Sequence, residues 1–121
     1  MSWELKNDRP VYVQLIEEIE LRIVSGVYKP TSQIPSVREL AAEAAVNPNT
    51  MQKALVELER RGLVYSKRTS GRFITDDVNL IKDVRKNLAD SQIEEFIQRM
   101  RNLGFDSEDM ISALSEKLHE Q

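Results

Sequence analysis

The chain has 121 residues, of which 40% are hydrophobic and 31% are charged, and its formal net charge is −3. This balance is ordinary for a globular protein, no apolar run approaches the ~20 residues of a membrane span, and the N-terminus carries no apolar signal-peptide core. Because cysteine is absent, disulfides, thiolate nucleophiles and cysteine-bound metals are excluded, and we expect a cytoplasmic protein without a membrane partner.

Asp8 and Pro10 are predicted to open a first helix, and Gly26 is predicted to end it. Its apolar positions recur with the period of a helix at Tyr12, Leu15, Ile16, Ile19 and Ile23. Its exposed face is expected to carry three acids, Glu17, Glu18 and Glu20. Residues 27–35 contain two prolines, so the helix is not expected to continue there.

A second, short helix is predicted to begin at Ser36 and to end near Ala45. Glu39 follows Ser36 at the spacing of a capping box, in which each residue satisfies a backbone N–H of the other. The tripeptide 46–48 then makes a tight turn into a third helix. Two helices joined by so few residues indicate a helix-turn-helix.

The third helix is predicted within residues 46–64. Asn47 can cap it, Pro48 suits its first position, and Gly62 is a natural stop. Its apolar stripe consists of Met51, Ala54, Leu55 and Leu58. Its outer face begins with Asn49, Thr50, Gln52 and Lys53. Amides, a hydroxyl and an ammonium are groups that read base edges and bind phosphates, so this is a candidate recognition helix.

A β-hairpin is predicted after Gly62, because Leu63–Tyr65 and Arg72–Thr75 flank a polar segment that contains Gly71. A hairpin behind a helix-turn-helix is a wing, and its tip is basic. Residues 53–72 hold six basic residues against two acids, whereas residues 77–121 hold six against ten. Local charge decides whether phosphate is attracted, although a basic patch of this size is also compatible with an ordinary solvated face.

The last 45 residues show no strand pattern and predict two helices. The first runs from about Val78 to Leu103, Gly104 ends it, and Ser107 is expected to cap the second. Amphipathic helices need a partner for their apolar stripes, and we expect a second copy of the chain. The residues predicted for this dimer interface are Ile81, Val84, Leu88, Ile93, Phe96, Ile97, Met100, Leu103, Ile111 and Leu114.

The predicted fold class is therefore mainly α (α+β). A winged helix-turn-helix domain is expected at residues 1–76 and a two-helix C-terminal dimerisation module at residues 77–121. No nucleophile–base pair, no metal-ligand spacing and no phosphate-binding glycine loop is recognisable. The single histidine, His119, is expected to be exposed. We therefore expect no enzyme activity, no catalytic residues, no cofactor and no metal.

Three segments together resemble the GntR family of bacterial transcription regulators, and within it the short YtrA-like subfamily. PVYVQL at residues 10–15 is similar to the start of the family's first helix, and IPSVRELA at 34–41 is similar to its Leu/Ile-Pro-Ser-x-Arg-x-Leu-Ala signature. VNPNTMQKAL at 46–55, followed by LERRGLV, resembles the subfamily's recognition helix and the turn to the wing. The resemblance covers roughly residues 10–75, and the two-helix tail is similar to the YtrA-like dimerisation module.

This resemblance implies a homodimeric repressor that binds a palindromic double-stranded operator, commonly that of a transporter operon. It leaves open a small-molecule effector. The implied DNA-binding residues, together with those of the outer helix face and the wing, are Ser36, Arg38, Asn47, Asn49, Thr50, Gln52, Lys53, Lys67, Arg68, Ser70, Gly71 and Arg72. The alternative for Arg38 is an ion pair with Glu39 or with another surface acid. Asn47 is interpreted first as a cap, with a phosphate contact as an additional role.

The chain also departs from the family pattern. Many members carry Arg where this chain has Pro48 and Gln52, and the wing reads Thr69-Ser70-Gly71 instead of Gly-x-Gly. Gln in place of Arg exchanges a guanine-type reader for an adenine-type one, so A·T is expected at that position. The missing arginines also motivate an alternative function, a winged-helix protein-interaction module without specific DNA binding.

Overall fold

Seven elements follow one another in the computed structural model, which describes residues 3–121. They are α1 (Val11–Val24), α2 (Val37–Ala44), α3 (Pro48–Arg60), β1 (Val64–Lys67), β2 (Gly71–Ile74), α4 (Val78–Asn102) and α5 (Ser107–His119). This order confirms the mainly helical fold class with a hairpin behind a helix-turn-helix. Contacts divide the chain into two compact units, one that ends at Arg85 and one that spans Lys86–Gln121.

The core of the first unit is formed by the predicted apolar stripes of α1 and α3, with α2 and the hairpin around them. Pro10 occupies the N-cap position of α1, and no side chain makes a capping hydrogen bond there. The prediction that Asp8 helps to open this helix was therefore wrong. The fully buried side chains include Leu15, Ile19, Leu40, Met51, Leu55, Leu58, Leu63 and Ile74. Burying this apolar surface is the main force that holds the unit together.

The helix-turn-helix has the predicted caps. Ser36 and Glu39 form the reciprocal capping box of α2, and the Asn47 side chain accepts from the Asn49 amide at the start of α3. Between the helices, Ala45 adopts a left-handed conformation with φ +56°, which closes the turn without a glycine. Helix α3 ends at Arg60, and Gly62 with φ +82° leads the chain into β1.

The hairpin is longer than predicted and its tip is shorter. Ser66 pairs with Arg72 and Lys67 with Gly71, so only residues 68–70 lie between the strands. The segment before α2 extends this sheet, because the Ile34 amide donates to the Arg72 carbonyl at 3.0 Å and the Ile74 amide to the Ser32 carbonyl at 2.9 Å. The wing is thereby attached to the body of its own unit.

The first turns of α4 belong to the first unit. Leu80, Ile81 and Val84 are partly buried against its core. Two residues predicted for a dimer interface, Ile81 and Val84, thus have an intrachain partner. The compact first unit extends past residue 76 for the same reason.

The second unit consists of the remainder of α4 and α5. The prediction that Ser107 caps α5 was wrong, because Asp106 is the cap: its carboxylate accepts from the Asp109 amide at 2.8 Å, and Asp109 reciprocates. Met110 is its buried apolar residue. Within residues 3–121, no helix combines the length and apolar character that crossing a membrane requires.

Candidate nucleic-acid interface

Arg38, which is predicted to contact DNA, lies in the first turn of α2, where Ser36 and Glu39 already cap the helix. The Glu39 carboxylate accepts from the Ser36 amide at 3.1 Å, so it is used for capping and not for an ion pair with Arg38. The Arg38 side chain is exposed and has no carboxylate partner within residues 3–121. Its guanidinium is therefore available to an external anion.

The N-terminal half of α3 presents the predicted polar face. Asn49, Gln52 and Lys53 are exposed and Thr50 is half-buried. The Lys53 ammonium lies 3.9 Å from the centre of the Tyr12 ring, a cation–π contact that keeps it close to the protein surface without neutralising it. Asn47 uses its side-chain oxygen for the cap, which supports the structural role among its two interpretations.

The wing tip carries exposed polar and basic groups on a constrained backbone. Lys67 lies 4.6 Å from the centre of the Phe73 ring, and Arg68 and Ser70 are exposed. The Ser70 carbonyl accepts a hydrogen bond from the side-chain amide nitrogen (Nε2) of Gln33. Gly71 has φ +102°, and a Cβ added there would meet that amide nitrogen at 2.7 Å. A side chain at this position would strain the backbone and displace the Gln33 side chain from the Ser70 carbonyl.

Arg72 is engaged within the chain, unlike the other basic residues of the wing. Its Nε donates to Glu59 of α3 at 2.6 Å, and its Nη2 approaches the Gln52 oxygen at 3.4 Å. The same Glu59 oxygen accepts from Ser66 Oγ at 2.6 Å. Burial disfavours the charged carboxylate, but the bonds from Ser66 and Arg72 outweigh it, so the pKa of Glu59 lies below its usual value.

Sequence reasoning did not identify Glu59 as part of the site and counted it only as an opposing charge. One signal was available, because Glu59 follows Gln52 by seven residues and so lies on the same face of a helix. Its pairing with Arg72 also required the hairpin register, which puts Ser66 opposite Arg72.

These elements meet around one surface. An open groove of about 710 Å³ is lined by residues 33–39 from the start of α2 and by Gly71 and Arg72 from the wing. The contact between Arg72 and Gln52 joins the wing to α3. We refer to residues 36–38, 47–50, 52–53 and 67–72 as the α2–α3–wing surface.

The cations of this region fall into two groups. Arg60 and Arg61 bind the Glu57 carboxylate at 2.6 and 2.8 Å, and these hydrogen bonds lower the pKa of Glu57 to about 2. Arg72 is paired with Glu59. Among the described residues, by contrast, no carboxylate pairs with Arg38, Lys53, Lys67 or Arg68. The unpaired cations lie on the α2–α3–wing surface.

The second unit has a different surface character. Of the residues predicted for a dimer interface, Leu88, Ile97 and Met100 are half-buried. The others in this unit are exposed, with Leu103 at 71% and Ile111 at 66%. Phe105 and Leu118 add to the exposed apolar side chains. His119 is exposed, as expected.

Comparisons with known proteins agree with this geometry. A family model described as "Bacterial regulatory proteins, gntR family" matches residues 11–74. Two similar proteins come from Bacillus subtilis (strain 168). The uncharacterised HTH-type transcriptional regulator YhcF is 32% identical over 94% of this chain and 94% of its own. The HTH-type transcriptional repressor YtrA is 32% identical over 95% of this chain and 83% of its own.

Two solved structures extend the comparison. A GntR family transcriptional regulator from Listeria monocytogenes superposes with a TM-score of 0.84 at 34% identity, over 93% of this chain and 98% of that one. The AraR DNA-binding domain in complex with operator ORX1 superposes with a TM-score of 0.57 at 30% identity, over 62% of this chain and 99% of that one.

Proposed function

Because the chain belongs to the GntR family and is a DNA-binding transcriptional regulator, with the YtrA-like group as the fitting subfamily, we propose that its α2–α3–wing surface binds operator DNA. The observation that carries this proposal is that some basic residues of this region form ion pairs within the chain and others do not. Among the described residues, no acid pairs with Arg38, Lys53, Lys67 or Arg68. By contrast, Arg60 pairs with Glu57, Arg61 with Glu57 and Glu20, and Arg72 with Glu59. Unpaired cations on one surface are what a phosphate backbone requires.

The exposed start of α3 supplies the base-reading groups in this proposal. In a helix-turn-helix, the N-terminal residues of the second helix contact base edges in the major groove. Asn49 and Gln52 are the exposed amides at that position, and Lys53 and Arg38 contact phosphates beside them. Lys67 and Arg68 reach the backbone or the minor groove from the wing tip.

The proposed assembly is a homodimer of the second unit that binds a palindromic operator. Ile93, Phe96, Leu103, Ile111 and Leu114 expose apolar surface that a second copy would bury. Two copies related by a two-fold axis read two half-sites about one helical turn apart. We further propose repression in the cytoplasm, with a transporter-type operon as the target. YtrA is described as a repressor, which supports the first part.

Selection from a random duplex library with the purified chain, followed by sequencing, tests the proposal. A palindromic enriched sequence is expected, with affinity that falls steeply as salt rises because phosphate contacts release counterions. Absence of enrichment at low salt would contradict specific DNA binding and favour a winged-helix protein-interaction module. A single enriched half-site would retain DNA binding and contradict the symmetric dimer.

A further inference from the structure

The link between the wing and α3 runs through one carboxylate. Glu59 Oε1 accepts from Arg72 Nε and from Ser66 Oγ, both at 2.6 Å. The exposed fractions of the two charged side chains are 18% for Arg72 and 30% for Glu59, so their ion pair is partly shielded from water. Charge-assisted hydrogen bonds in such surroundings are stronger than those on an open surface.

Arg72 transmits this anchoring to Gln52. A guanidinium has only donors, so the group that faces Arg72 Nη2 at 3.4 Å must be the Gln52 oxygen. The amide nitrogen of Gln52 consequently points away from Arg72, on an exposed part of α3. A glutamine that reads adenine in the bidentate mode needs both its oxygen and its nitrogen on the base. A glutamine whose oxygen is held by Arg72 offers a donor instead.

Resting on the DNA-binding role proposed above, we propose that Glu59 is a positioning residue for sequence recognition. By holding Arg72 against Gln52, it presents the Gln52 amide nitrogen as a single donor to an acceptor atom on a base edge. Guanine N7 and O6, thymine O4 and adenine N7 are such acceptors in the major groove. In this proposal Arg72 positions Gln52 through contacts within the protein and does not bind phosphate.

The ionisation of Glu59 is consistent with this role. Its pKa is below the usual value, so the carboxylate is charged at neutral pH. The neighbouring acid Glu57 provides a matched comparison, because its side chain is 24% exposed, it lies on the same helix, and it binds Arg60 and Arg61 instead of the wing.

The test uses the full chain in four forms that are compared with the wild type: Glu59→Ala, Glu57→Ala, Gln52→Ala and Arg72→Lys. Each is selected against the same random duplex library, and circular dichroism establishes that it is folded. Gln52→Ala identifies the base position that depends on Gln52. At that position we expect Glu59→Ala to lose about five- to tenfold in base preference, with Glu57→Ala within about twofold of wild type.

Arg72→Lys keeps the charge but not the two-pronged donor geometry, so it should lose preference at the same position with an unchanged salt dependence. It also keeps the proposal testable should Glu59→Ala fail to fold. The proposal is overturned if a folded Glu59→Ala or Arg72→Lys variant retains wild-type preference where Gln52→Ala loses it. A uniform loss of affinity for all sequences would equally overturn it, because that outcome indicates only a structural role.

A base analogue adds a second, independent check. If the selected base is adenine, replacing it by purine removes the N6 amino group and leaves N7 in place. Affinity within about twofold of the adenine site agrees with a single donor, whereas a tenfold or larger loss indicates bidentate reading and contradicts the proposal. Failure of the wild type to enrich any sequence would instead remove the DNA-binding role itself, which distinguishes the two failures.

Discussion

Arg38 is a guanidinium without a carboxylate partner among the described residues, in a region where Arg60 and Arg61 both have one. Arg38→Ala is expected to lower affinity for specific and random duplexes alike, by about tenfold, and to reduce the slope of log affinity against log salt by about one. Fluorescence anisotropy over a salt series measures both quantities. Arg60→Ala is the control, because Glu57 already neutralises Arg60, and equal effects of the two substitutions would refute the assignment.

The environment of Glu20 differs from the one that the sequence predicts. The sequence pattern places it on the exposed face of α1, but the structure leaves it 8% exposed. Arg61, which directly follows α3, lies at 3.2 Å from its carboxylate. Burial raises the pKa of Glu20 above its usual value, and the attraction of Arg61 only partly offsets this. The sequence prediction failed because an acid on a helix can be covered by a side chain from another element, which a local pattern does not contain.

This raised pKa predicts a pH dependence of stability. A carboxyl whose pKa is higher in the folded than in the unfolded state binds more protons when folded, so its contribution to the free energy of unfolding falls as pH rises through that window. We therefore compare the free energy of unfolding of the wild type with that of Glu20→Gln. The wild-type value minus the variant value should decrease as pH rises above about 4.5. Urea titrations at several pH values measure it. A difference that does not change with pH would contradict the prediction.

At the scale of elements, two adjacent residues at the start of α5, Asp106 and Ser107, have different roles in capping the helix. Asp106 accepts from the Asp109 amide at 2.8 Å, whereas Ser107 is already inside the helix. Asp106→Ala should therefore cost about 1 kcal/mol of unfolding free energy in the second unit, and Ser107→Ala a few tenths at most. Thermal melts followed by circular dichroism compare the two. A larger loss for Ser107→Ala would restore the serine as the cap.

The elements that sequence predicts well are those whose signals are local. The Ser36–Glu39 capping box, the Asn47 cap and the Gly62 stop are each decided by a few neighbouring residues, and all three are as predicted. The cap of α5 was missed, although Asp106 and Asp109 have capping-box spacing, because Ser107 is an equally favourable cap residue. For the hairpin, composition indicates the strands but not their register, so the pairing of Ser66 with Arg72 was not predictable.

The difference between local and tertiary signals also explains which residues of the candidate site could be predicted from the sequence. Sequence and resemblance identify Arg38 and the outer face of α3, because those residues lie in contiguous motifs. They do not identify the ion pair of Arg72 with Glu59, which joins a helix to a strand through the tertiary structure. The DNA-binding role of each residue remains a prediction that the substitutions above test.

At the scale of the whole molecule, the exposed apolar residues of the second unit predict self-association. Phe96 is 38% exposed, and a lysine there would place a charge in the proposed dimer interface. Phe96→Lys should give a monomer in sedimentation velocity. It should then bind the two half-sites of a palindrome independently, without the gain in affinity that a linked dimer has. Gln92→Lys adds the same charge at an exposed polar position of α4 and should remain dimeric. A monomeric wild type would contradict the proposed assembly.

The attachment of the wing to residues 31–34 has a thermodynamic consequence. The Thr31, Ile34 and Ile74 amides all donate across this junction, and Gln33 binds the Ser70 carbonyl at the tip. A wing that is ordered in the free protein does not lose further backbone entropy when DNA arrives. The Ile34 and Ile74 amides should accordingly exchange slowly with deuterium before any DNA is added. The heat-capacity change of binding should then match the contact area alone, without the excess that accompanies coupled folding.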